Sequence, residues 1–186
     1  MNPVRIIQGR ALPLGRSNVD TDMIIAAEHL KTISRVGLGR FAFGALRADP
    51  GNVFDDPAFQ GAPILIAGDN FGCGSSREHA VWALADMGVQ AVIAPRFSDI
   101  FASNAFKNGM ATIVLGQDAV DRLLSRAADH DILIDLESMT VSCHGDSFAF
   151  AMDPFRRECL MEGRDEIALT LLHVDAINAY ERRAGI

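Results

Sequence analysis

Three short, unbroken apolar runs constrain this chain more than any other feature. They are "APILIA" at residues 62–67, "VQAVIA" at 89–94 and "ATIVL" at 111–115. A strand with one wet face alternates apolar and polar residues, whereas a continuous run must be covered on both faces. Helical patterns lie between and after the runs. Ala80, Ala83, Leu84 and Met87 form one stripe, Phe97, Ile100 and Phe101 open a second that stops at Asn108-Gly109, and Val120, Leu123, Leu124 and Ala127 form a third. Strand–helix–strand order with short links predicts an α/β fold with a mixed or parallel central sheet flanked by helices. The texture then changes to short, turn-separated segments, "DILIDL", "TVSCHG" and "SFAFAM", which predict an antiparallel meander. Asp153-Pro154 reads as an N-cap with proline at the first helical position, opening a helical segment over 153–186. Residues 35–61, rich in glycine and aspartate, are the least regular part and are expected to be a lid or binding surface. The whole of 1–186 reads as a single domain.

Hydrophobic residues make up 49% of the chain, enough for a real core. The net charge of -7 excludes the basic surface that a nucleic-acid partner requires. No apolar run marks a leader or reaches the roughly 18 residues of a membrane span. The expected setting is therefore cytoplasmic, with no membrane partner. Cys73, Cys143 and Cys159 are too scattered for a disulfide framework or a zinc site.

The richest stretch chemically is "GDNFGCGSSREHA", residues 68–80, between a buried run and a helical stripe. It lacks the lysine of a P-loop, the third glycine of a dinucleotide fingerprint and the GxSxG of a nucleophile elbow. His79 is too close in sequence to the serines to face one of them as a triad partner. Ser75 and Glu78 stand three apart before the stripe, the spacing of a capping box, and Cys73 reads as a small buried residue. What the pattern establishes is a glycine-bared helix start with Arg77 beside it, which favours an anion. The reaction stays open on these grounds.

The stretch 68–88, "GDNFGCGSSREHAVWALADMG", resembles the small-subunit signature of isopropylmalate dehydratases in the aconitase superfamily. "RSNVDTDMIIAAEHLK" (16–31), "AVIAPRFSDIFASNAFKNG" (91–109) and "DPFRRECLMEGRDEIALTL" (153–171) are similar to the same family in order and spacing. The resemblance implies a swivelling β/β/α domain that closes over a [4Fe–4S] cluster carried by a separate large subunit, with no cofactor or metal bound by this chain. It implies Ser75 as catalytic base, with Ser76 and Arg77 binding a carboxylate of a hydroxy-dicarboxylate substrate. Asp20 and Asp22 are implied to position the site together with Gly72 and Gly74, and Arg35 to bind substrate. Asp20 and Asp22 equally suit a turn or N-cap, and Arg35 an exposed helix end. Glu78 and His79 are read as orienting the loop.

The implied reaction interconverts 2-isopropylmalate and 3-isopropylmalate through 2-isopropylmaleate, a step of leucine biosynthesis. Iron in the partner would polarise the departing hydroxyl, Ser75 would take the proton from the neighbouring carbon, and Arg77 would hold the developing charge. Two positions depart from the family pattern. Val81 stands where proline is common, and Gly44-Ala45-Leu46-Arg47 replaces an aromatic-rich stretch. The second departure leaves a hydro-lyase acting on methylmalate (citraconate hydration) or on homocitrate as an alternative. A non-catalytic binding or regulatory module on the same fold is the alternative of another class; the intact Ser75-Ser76-Arg77 run counts against it.

Overall fold

The three apolar runs become neighbouring strands. In the computed structural model, which describes residues 1–185, they are β3 (Ile64–Ile66), β4 (Ala91–Ala94) and β5 (Ala111–Val114). With β2 (Ala11–Pro13) they make a parallel sheet in the order β2-β3-β4-β5. Register places Ile66, Ile93 and Ile113 abreast on one face. Leu65 and Val92 point to the other, and every one of these side chains is buried. Burying each such aliphatic chain stabilises the fold by about 1.5–3 kcal/mol.

The expected meander is present as β6 (Ile132–Asp135), β7 (Thr140–Cys143) and β8 (Asp146–Ala149), paired antiparallel. Nothing in the apolar pattern anticipates β1 (Ile6–Gly9), which completes this second sheet by pairing antiparallel with β6. Two cores result. One lies between the parallel sheet and the helices of its first face, including Leu65, Val92, Leu84 and Phe101. The other joins the opposite face to the antiparallel sheet, through Ile66, Ile93, Leu123 and Ile134.

The helices are α1 (Thr21–Ile24), α2 (Gly44–Arg47), α3 (Glu78–Asp86), α4 (Asp99–Lys107), α5 (Gln117–Arg126), α6 (Pro154–Glu162), α7 (Glu166–Leu171) and α8 (Val174–Ala184). In α5 the expected stripe is buried at Val120 and Leu123. In α4 it is rotated: Phe101 and Ala105 face the core while Ile100 is 48% exposed. Asp153 caps α6 as expected, its carboxylate accepting from the Arg156 amide at 2.9 Å, with Pro154 in the first turn. No residue of α7 or α8 is buried.

Residues 35–61 are not an open loop. Short helical turns bury Leu38, Ala42, Phe43, Phe54 and Phe59, and the Phe43 and Phe54 rings stack with centroids 4.3 Å apart. The amides of Gly37 and Gly39 donate to the Asp86 carboxylate at 2.9 and 2.7 Å, fastening the segment to the end of α3. The apolar spacing here is too irregular to match any template, so only the folded chain reveals this packing.

Candidate active site

The connections leaving the carboxyl ends of β2, β3 and β4 meet at one place, where ligands bind in parallel sheets. Backbone bonds hold them together. The Asn18 amide donates to the Asp69 carbonyl at 2.8 Å, Gly72 to Val19 at 2.8 Å, and Phe71 to Arg96 at 2.9 Å. Ser98 closes the bundle, its hydroxyl donating to the Gly72 carbonyl at 2.5 Å while accepting from the Phe101 amide at 3.2 Å. Gly72 is required. Its φ is +73°, and a Cβ there would lie 2.3 Å from the Phe101 ring. Gly74, at φ +88°, carries the chain past Asp20.

Ser75 and Ser76 emerge from this turn exposed to solvent. Thr21, buried in α1, donates its hydroxyl to the Ser75 carbonyl at 3.0 Å, so the turn is gripped by its backbone and the serine side chain is left outside. Helix α3 begins three residues on, with Arg77 at its N-cap and no side chain closing that cap. Its first amides and the Arg77 guanidinium therefore supply positive charge beside the serines. Arg77 forms an ion pair with Asp22, its side chain 19% exposed against 54% for the aspartate. A guanidinium has five donors, so a second carboxylate can bind without displacing Asp22. Asp20 caps α1, accepting from the Met23 amide at 2.7 Å, and its backbone bridges to Cys73.

The first turn of α3 is braced from two sides. Glu78 accepts from the Asn108 side-chain amide at 2.8 Å. His79 Nε2 donates to the Thr32 carbonyl at 2.9 Å. Arg35 is brought to the same helix but one turn further on, its guanidinium 4.9 Å from the Trp82 ring centroid. It is exposed but stands in irregular chain between two short helical turns, so the helix-end reading of it fails.

Two other local expectations fail. The capping box does not form, because the backbone at Arg77 is extended (φ −126°, ψ 103°) and the helix starts after it. Ser75 is thus outside capping position, and the Glu78 carboxylate turns to Asn108 instead. Cys73 is partly exposed rather than buried, because its chain runs along Asp20 at the rim. The structure adds Thr21, Ser98 and Asn108, all inside stretches 16–31 and 91–109. Their signal in the sequence is weak: polar residues at helix ends, of which only the fold shows the partners.

The Aconitase C-terminal domain profile matches residues 1–118, and the C-terminal domain profile of the 3-isopropylmalate dehydratase small subunit matches 166–184. A 3-isopropylmalate dehydratase small subunit from Novosphingobium aromaticivorans is 62% identical over 184 residues, covering 98% of this chain and 91% of that one. The chain belongs to the 3-isopropylmalate dehydratase small-subunit family. A protein of the same name from Zymomonas mobilis is 60% identical, covering 97% of this chain and 95% of the relative. The crystal structure of 3-isopropylmalate dehydratase from Methanocaldococcus jannaschii superposes with a TM-score of 0.73 at 27% identity, covering 95% of this chain and 99% of that chain. Family membership makes the chain a component of a hydro-lyase on the aconitase C-terminal domain fold, α/β with a parallel and an antiparallel sheet flanked by helices.

Among the described residues no group of three or more His, Cys, Asp or Glu side chains could hold a metal. Cys143 and Cys159 are buried, and burial pushes both thiols above their ordinary pKa, away from the thiolate that binds iron. These residues do not fit an iron–sulfur cluster. No helix among those described is long and apolar enough to cross a membrane.

Proposed function

We propose that the chain is the small partner in a hydro-lyase that interconverts 2-isopropylmalate and 3-isopropylmalate through 2-isopropylmaleate, with Ser75 as the base. It works in the cytoplasm with a large subunit, which carries the [4Fe–4S] cluster. The observation that carries the reading is the backbone grip on Ser75, which leaves the residue exposed just ahead of Arg77 and the uncapped start of α3. Serine is a weak base in water, and an alkoxide becomes accessible only where donors and positive charge are already aimed at it. Arg77, held by Asp22, binds a carboxylate of the hydroxy-dicarboxylate and takes up the charge that grows as the adjacent carbon loses its proton. Ser76 contributes a further hydroxyl to that carboxylate. Asp20, Gly72 and Gly74 shape the turn, and Arg35 reaches substrate from the Trp82 face.

The test is reconstitution with the large subunit and an assay of isopropylmalate isomerisation. Ser75→Ala is expected to lower turnover by about 10²–10⁴-fold, the usual worth of a positioned base. Unfolding stability should stay within about 0.5 kcal/mol, since the side chain is exposed. Turnover within a few-fold of wild type would remove Ser75 from the role. Methylmalate and homocitrate belong in the same assay, because preferential turnover of either would reassign the substrate.

A further inference from the structure

Asn108, at the C-cap of α4, uses its whole side-chain amide. Its nitrogen donates to the Glu78 carboxylate at 2.8 Å and to the Asn104 carbonyl at 2.9 Å. Its oxygen accepts from the Trp82 indole at 3.1 Å. Glu78 is the residue directly after Arg77, and Trp82 is the ring over which Arg35 lies. One side chain thus reaches toward both arginines at once, through the first turn of α3 and through the aromatic platform one turn on. The N-cap of α3 has no side-chain bond of its own, so the Glu78–Asn108 contact is a principal side-chain restraint on that turn. Asn104 holds the amide plane from behind, which leaves Asn108 little freedom to turn away.

We propose that Asn108 is a positioning residue that sets Arg77 and Arg35 in register with each other for a single dicarboxylate. It acts through Glu78 and Trp82 and does not touch substrate. This rests on the reading of the two arginines as carboxylate-binding groups. The physical basis is that a displacement of about 1 Å in a binding group costs up to about 10²-fold in rate. An extended helix end with no cap is where such a displacement costs the fold least.

The chemistry provides a selective test. Asn108→Asp keeps the acceptor for Trp82 but sets a carboxylate against Glu78 and against the Asn104 carbonyl. Glu78→Gln with Asn108→Asp exchanges donor and acceptor and rebuilds the contact at position 78, leaving the Asn104 bond lost in both variants. In the assembled enzyme Asn108→Asp is expected to raise KM for isopropylmalate about tenfold or more, and the double variant to recover the part of that loss that runs through position 78. Trp82 is the one tryptophan of the chain, so its indole N–H resonance reports the strut in the free protein, independent of any substrate. Asn108→Asp should move that resonance and the Arg77 amide together, and the double variant should return both. A purely structural role would lower the assembled fraction while leaving KM of the assembled enzyme unchanged, and that result overturns the proposal. So does an Arg77 amide that stays still in Asn108→Asp, or a double variant that recovers neither KM nor resonance. Failure of the underlying reading looks different: the resonances behave as expected while the wild-type complex leaves isopropylmalate unchanged.

Discussion

Two irregular, glycine-containing segments, residues 68–77 and 35–61, solve opposite problems. In the first, the backbone is bonded on nearly every side, to Val19, Arg96, Ser98 and Thr21, and the side chains of Ser75 and Ser76 are left outside. In the second the side chains go in, with Phe43, Phe54 and Phe59 buried, and the segment is fixed by packing. Irregular backbone by itself therefore marks neither mobility nor chemistry. The shorter turn joins a well-bonded backbone to exposed hydroxyls at Ser75 and Ser76, which is why the proposed site is placed there.

This contrast can be broken experimentally. The largest effect is expected in the longer segment. Phe43→Ala should cost about 3–5 kcal/mol in chemical unfolding, because a fully buried ring is lost from the first core. A cost under about 1 kcal/mol would show the segment to be loosely packed. Next comes Gly72→Ala, where the new methyl meets the Phe101 ring at positive φ. Overpacking predicts a loss of about 1–3 kcal/mol together with reduced activity, since the turn that presents Ser75 must shift. Unchanged stability would show the turn to be softer than its bonding implies.

The smallest effect concerns pH. The Asn52 side chain, donating at 3.0 Å and helped by the Arg47 charge, holds the Asp55 carboxyl below its ordinary range. A depressed folded pKa stabilises the fold fully above the unfolded value, about 3.9, and the contribution fades as pH falls through the folded one. Amide protection factors around Phe54, taken relative to the intrinsic exchange rate at each pH, should therefore fall on acidification in wild type. In Asp55→Asn that added pH dependence should be absent.

Much of the frame is legible in the residues. Continuous apolar runs give away β3 and β4, because burial on both faces leaves no reason for alternation. The run at β5 also marks a strand, but one with an open face: Thr112 is half-buried and Val114 is 49% exposed, since β5 is an edge strand of its sheet. Asp153-Pro154 marks the start of α6 because its N-cap chemistry is local. The capping box at Ser75 and Glu78 is the opposite case. Its spacing is right, but the helix starts only after the extended backbone at Arg77, and Asn108, distant in sequence, takes the Glu78 carboxylate that the box needs. β1 and β2 escape detection because short strands at a sheet edge carry too few residues for a periodicity to register.

Local pattern was enough for the α/β layering, for the helix that follows the glycine-rich turn and, through resemblance, for the family. Packing had to decide which face of Ser75 is bound and which is free, that Arg77 leans on Asp22, and that Asn108 links Glu78 to Trp82. The reason is range. Periodicity and capping are encoded within a few residues, whereas each of the other contacts joins segments more than twenty residues apart, and only the packed sheet brings their ends together.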